Sequence, residues 1–239
     1  MTAVVLLALC AAPPCKPVAV PVALRAAPVL LSEREIDRML QTEIDFKGIE
    51  DAATTLEEFL RDHVGRNETN GARPFRNLRC VFDEQAPAVK EGTPVAQVVQ
   101  VAKAAVGRID PVVTTFETLL VRVLDRMPDA DFLIRRGHLE ITTKTAIRRE
   151  LRLGEKEPYP VLLRFMRLED ESLESACEKI AERLGATIVI DPKATAQAAT
   201  KVKATFRNVP LDAAVETLAE MAGLKVVRKS NVYYLAAGK

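Results

Sequence analysis

Apolar residues recur at helical spacing in several stretches of the chain, and stretches of alternating apolar and polar residues separate them. Leu56, Phe59, Leu60, His63 and Val64 fall on one face of a turn-by-turn pattern that ends by Gly65. Phe116, Leu119, Leu120, Val123, Leu124 and Met127 do the same within "VTTFETLLVRVLDRM", which Pro128 is expected to stop. Leu173, Cys177, Ile180, Ala181 and Leu184 form a third stripe, and Leu211 to Ala222 a fourth helix. The alternating stretches "EIDFKGI", "LRCVFDE" and "PVAQVVQVAK" predict strands, and "DFLIRRGHLEITTK" predicts a hairpin turning at Gly137-His138. In the second half "VLLRFMRL", "TIVID" and "KVKATFRNV" predict three strands and "LKVVRKSNVYYLA" a second hairpin. Ser32-Glu33-Arg34-Glu35 is a capping-box pattern ahead of Ile36, Met39 and Leu40, so folding is expected to begin near Ser32. Ser172 and Asn208 supply start signals for the later helices, and Gly185 and Gly223 suit left-handed caps at their ends.

The later half repeats itself. "DESLESACEKIAERLGATIVI" aligns with "NVPLDAAVETLAEMAGLKVVR" at one constant offset, matching Leu173 to Leu211, Ala176 to Ala214, Glu178 to Glu216 and Gly185 to Gly223. Two amphipathic helices, each with a single apolar stripe, are satisfied by being buried together between strands. The order of elements in residues 161–239 also matches that in residues 32–148, the first copy carrying a longer insertion. The expected fold is therefore α+β, as two tandem β-α-β-β-α-β-β modules. Residues 149–160, "ELRLGEKEPYP" and its flank, read as a charged, proline-containing linker.

The second stretch, with "LRFMRLEDESLESACEKIAERLGATIVIDP" and "VKATFRNVPLDAAVETLAEMAGLKVVRKSNVYYL", resembles the short N-terminal (STN) domain shared by secretins and TonB-dependent receptors. The motifs that carry the resemblance are the Phe165 strand, the polar step into Leu173, the Gly185 stop, the "NVPLDAAVETL" helix start, Gly223-Leu224 and the final "NVYYL" strand. Residues 32–148 resemble it through "TTLEEFL" and "LIRRGHLEITT" and depart from it between Gly65 and Asp110. The resemblance implies two helices held between a two-stranded and a three-stranded sheet. It also implies a periplasmic interaction module rather than an enzyme, docking with an envelope protein or a component of a secretion or receptor assembly. Larger members continue into a membrane channel or receptor barrel of many strands of roughly ten residues. These 239 residues hold no such series, so the chain as given is expected not to be the pore.

Residues 1–31 differ from the rest. "AVVLLALCAA" is an apolar run of signal-peptide length, and "PPCKPVAVPVALRAAP" is a Pro/Ala/Val tract with no folding pattern. No basic residue precedes the run, Leu9 stands where a lipoprotein signal needs a small residue, and a start upstream of Met1 would supply a basic segment. An exported leader, and hence a periplasmic or outer-membrane-associated protein, is the expectation. No run reaches the 18 or more apolar residues of a spanning helix. With 34 Lys plus Arg against 33 Asp plus Glu, no global field recruits nucleic acid or membrane.

Candidate chemistry is sparse. His63 and His138 have no neighbours at ligand or triad spacing, and the ten glycines form no phosphate loop, so no metal, cofactor or small-molecule substrate is expected. Glu169 to Glu171 read as acids favoured at a helix start. Asn67-Glu68-Thr69 forms a sequon with no function assigned. Cys177 reads as buried filler, and the spacing leaves a Cys80–Cys177 bridge open. In "KVKATFRNV", Val202, Ala204 and Phe206 face one way, and Lys201, Lys203 and Arg207 face the other. The resemblance implies that this strand pairs with "LLRFM", sending Leu163 and Phe165 inward and adding Arg164 to the basic row. Arg164, Lys201, Lys203 and Arg207 are thus the candidate partner-binding residues. The alternative is a nucleic-acid-binding α+β module using the same face, against which near-neutral charge and 5% aromatics weigh.

Overall fold

The computed structural model describes residues 30–64, 75, 78–82, 101–154 and 156–237. Nearly all of the leader, Cys10, Cys15, the sequon and most of the strand expected over residues 94–103 lie outside the described residues. The last three of those, Val101–Lys103, form a 3-10 turn.

The first half opens with α1 (Glu33–Leu40), capped as its sequence directs. The Ser32 hydroxyl accepts from the Glu35 N–H, and the Glu35 carboxylate accepts from the Ser32 N–H. Then come β1 (Glu43–Phe46) and α2 (Leu56–Phe59), whose Thr55–Glu58 capping box is equally complete and which runs on as a π turn over Leu60–Val64. β2 (Cys80–Phe82), β3 (Val112–Thr115), α3 (Phe116–Leu124), β4 (Ala130–Arg135), β5 (His138–Thr143) and α4 (Lys144–Glu150) complete it. The expected helix from Val113 starts three residues later. Val112, Val113, Thr114 and Thr115 form a β-branched run that favours a strand, and Thr115 caps the helix from Phe116. The hairpin turns at Arg136-Gly137, where Gly137 adopts φ 87°. α4 was not anticipated. Thr143 caps it, and its Ile147 lies against Leu133 and Leu162.

The second half follows as β6 (Leu162–Ser172), α5 (Leu173–Leu184), β7 (Thr187–Ile190), the short α6 (Thr195–Ala198), β8 (Lys201–Pro210), α7 (Leu211–Met221), β9 (Leu224–Lys229) and β10 (Val232–Ala237). Ser172 caps α5 as expected, and Gly185 closes it at φ 63°.

The mixed α+β class stands. Among the described residues four sheets come in two matching pairs. β1 and β3 form an antiparallel pair, as do β6 and β8. The three-stranded sheets run β2-β5-β4 and β7-β10-β9, each with its first strand parallel to the middle one and its last antiparallel. One core gathers Ile36, Leu40, Phe46, Phe59, Phe116 and Phe132 between the first pair of sheets. The other gathers Leu168, Leu173, Ile180, Phe206, Leu218 and Leu235 between the second. Cys177 belongs to the second core and Cys80 packs against the first. Both are free thiols, so no bridge joins them.

The two capping boxes predict an acid-side loss of stability. Hydrogen bonds from the Ser32 and Thr55 backbone N–H groups, then from their hydroxyls, hold the Glu35 and Glu58 carboxyls below their ordinary value of 4.5. A carboxyl whose folded pKa is depressed contributes stability that is complete above its unfolded value and lost as pH falls through the folded one. Thermal midpoints are expected to fall between about pH 5 and pH 3, and Glu35→Gln should flatten that slope. An unchanged slope in the variant would refute the assignment.

Candidate interaction surfaces

The basic row exists in part. Lys201, Lys203 and Arg207 project from one face of β8, while Val202, Ala204 and Phe206 turn into the second core. Lys201 and Lys203 are exposed; Arg207 lies 3.1 Å from Glu33 of α1, so its charge is already engaged by the first half.

Arg164 is not in the row. Only 8% of the residue is exposed; its Nη2 donates to Asp131 Oδ1, and its guanidinium carbon lies 4.5 Å from the Phe132 ring centroid. The expectation failed because the face of β6 that carries Leu162 and Arg164 is covered by Asp131, Phe132 and Leu133 of β4; alternation itself breaks only after Arg164. Leu163 enters the second core, Phe165 enters the first, and Met166 returns to the second. Opposite Arg164, between the pairs Leu163↔Val209 and Phe165↔Arg207, Asn208 takes the left-handed φ of 50°. Phe165 therefore points inward, but into the other half's core.

Asn208 does not start α7 either; Pro210 holds that position, with no side-chain cap. Instead the Asn208 side chain is buried against β4, donating to the Ile134 carbonyl at 2.9 Å and accepting from the Ile134 N–H at 3.1 Å. One amide thus closes the edge of β4 at that residue as a neighbouring strand would.

The halves meet along a polar seam. The Tyr159 hydroxyl donates to the other Asp131 oxygen. Burial, then the Asp131 carboxylate, pushes the Tyr159 pKa up, which keeps its proton in place as a donor. Arg183 of α5 donates through Nη2 to Asp37 at 2.6 Å and Glu117 at 3.1 Å, and through Nη1 to the Phe165 carbonyl at 2.7 Å. Burial raises the Asp37 pKa against the opposing pull of Arg183. Arg164 Nη1 and Arg183 Nε meet no acceptor among the described residues, so each cation is only partly satisfied. A cleft of about 740 Å³ opens beside this seam, walled by Glu117 and Val121 of α3, Tyr159, and Lys179 and Arg183 of α5. The buried Arg164 and the part-buried Arg183 in its wall each already have a carboxylate partner, so the arrangement clamps two halves together.

The residues outside the seam offer little chemistry. Burial pushes the Cys80 and Cys177 thiols up to about 12, which leaves them protonated and inert at neutral pH. His138 opens β5, and His63 belongs to the π turn that follows α2. No group of three or more His, Cys, Asp or Glu is placed to hold a metal among the described residues.

Asp131, Tyr159, Arg183, Asp37 and Glu117 drew no assignment from the sequence, and Asn208 drew a helix start in place of its part in the seam. Two of them left a signal. Asp131 sits one residue before the apolar run Phe132-Leu133-Ile134 of its strand, and Asn208 interrupts a β-favouring run. Arg183, Asp37 and Glu117 look like ordinary helix-surface charges.

Fold and seam define a class, an α+β protein of two like-ordered halves joined by one buried and one part-buried set of ion pairs. No family model matches the chain, and a search of curated proteins returns no match.

Proposed function

We propose that this protein works by protein–protein contact in the bacterial envelope, as a pair of STN-like modules without chemistry of its own. The observation that carries the reading is the pair of helices held between a two-stranded and a three-stranded sheet, an arrangement present twice and the one the STN resemblance implies. The exposed Lys201 and Lys203 on the outer face of β8 are the contact residues for an acidic partner. An exported protein of the periplasm or outer-membrane surface fits the leader. Among the described residues no helix is long and apolar enough to cross a membrane.

The test reverses the two lysines together, Lys201→Glu with Lys203→Glu, leaving Arg207 to its contact with Glu33. Stability should change by no more than about 0.5 kcal/mol per site, since both are solvated. Partner recovery from envelope extract should be lost, and wild-type association should slow as salt rises, because exposed charges are screened over about 8–10 Å. Equal recovery by both proteins sinks the basic-face reading. Binding of a single-stranded oligonucleotide that the same reversals abolish would move the face to the nucleic-acid alternative. Cell fractionation checks the compartment, and a cytoplasmic location would count against the envelope.

A further inference from the structure

The halves correspond strand for strand, which sets two unlike surfaces in register with the seam already formed inside the chain. Aligned on the hairpin closures Arg135↔His138 and Lys229↔Val232, Asp131 corresponds to Lys225, Leu133 to Val227 and Glu140 to Tyr234. Aligned on the pairs that lead into α3 and α7, Glu43↔Thr115 and Leu162↔Pro210, Asp45 corresponds to Arg164 and Val113 to Asn208. The helices after these pairs support the alignment, because Phe116, Leu119, Leu120, Val123 and Leu124 and their counterparts Leu211, Ala214, Val215, Leu218 and Ala219 are all buried.

In the first half the outer face of the three-stranded sheet is covered. Leu133 is 2% exposed beneath Ile147 and Leu162, and Asp131 is paired with Arg164. The equivalent face of the second half is open. Val227 is 48% exposed, its cross-strand neighbour Tyr234 is 38% exposed, and Val189, which pairs with Tyr234 from the other side, is 37% exposed. Lys225 and Lys229 flank Val227 on that face, with Lys229 5.4 Å from the Tyr234 ring centroid. The face that corresponds to the docked side of β6–β8 is the outer side of β1–β3, which carries exposed Glu43, exposed Asp45 and Val113 at 61% exposure.

We infer that the β7-β10-β9 face of one copy docks on the β1–β3 face of a second copy, repeating the internal seam with its charges exchanged. Where Asp131 meets Arg164 inside the chain, Lys225 meets Asp45 between copies. The antiparallel sense that sets Leu133 by Leu162 sets Val227 by Glu43, with Lys229 nearby to neutralise it. Val113 takes the place of Asn208 and supplies apolar contact instead of an edge-closing amide, so this junction is weaker than the internal one. Asp45 pairs with Lys47 in the single chain and exchanges that solvated contact for Lys225. The two faces differ, so the contact is head-to-tail and extends beyond two copies unless it closes into a ring. The inference stands on the repeated topology and does not depend on the envelope reading.

Sedimentation velocity of the full chain at low salt, up to about 1 mM at the weak end of specific association, tests it. The wild-type average mass should rise with concentration and fall back as salt is added. Lys225→Glu alone and Asp45→Lys alone should remain monomeric, whereas an equimolar mixture of the two should associate again, the two altered faces meeting each other and the unaltered Lys225 of one variant meeting the unaltered Asp45 of the other. The recovery in the mixture shows at once that both variants are folded. A wild-type chain monomeric throughout, single variants that associate like the wild type, or a mixture that stays monomeric would each overturn the inference.

Discussion

Asp131→Ala is expected to cost about 3–5 kcal/mol, the loss that follows when one member of a buried ion pair is removed and the other stays behind. Arg164 is 8% exposed and held over Phe132, so its charge has no short path to water, and the Tyr159 hydroxyl loses its acceptor in the same step. Urea unfolding monitored by circular dichroism measures the loss. The double variant Asp131→Leu with Arg164→Met should recover most of it, because two apolar side chains of similar size leave no buried charge unpaired. A single variant within about 1 kcal/mol of wild type would show that the guanidinium escapes to solvent and that the seam does not depend on this pair. A double variant as unstable as the single one would place the cost in packing instead.

Phe165→Ala should be the other large effect, about 3–5 kcal/mol for a buried aromatic side chain. Its distinctive consequence is coupling. Phe165 stands on the first strand of the second half yet is 4% exposed within the core of the first, and Arg183 holds its carbonyl. The wild-type chain is expected to unfold in one transition, and the alanine variant to separate into two as the halves lose their shared side chain. Differential scanning calorimetry distinguishes the cases. Two transitions in the wild type would mean that the seam is too weak to couple the halves. A chain begun at Val161 would carry Leu162, Arg164, Phe165 and Asn208 without their partners, so it should be less stable than its self-contained apolar stripes suggest.

Much of the architecture was legible because it rests on local chemistry. The stripe from Phe116 to Leu124 is buried as its spacing requires, and the Ser32 and Ser172 starts form the expected caps. β8 points Val202 and Phe206 inward because strand geometry alternates side chains whatever lies around it. Boundaries were harder. The Val113 start yielded to a β-branched run, and α4 was hidden in residues that also fit the end of a hairpin and a charged linker.

The seam was illegible for a different reason. Arg164 read as a solvated base because nothing near it in sequence reveals that β4 covers its face of β6, and Asn208, opposite Arg164, bonds to Ile134 of that same strand. No local pattern contains that bond, since its partners lie far apart along the chain. Sequence alone determined most of the helices and strands and which of their faces are apolar, because propensity, capping and periodicity act within a few residues. Only the tertiary structure decided that Arg164, Phe165 and Asn208 serve the junction. Whether a charge is solvated or a ring finds cover depends on what the rest of the chain brings against it.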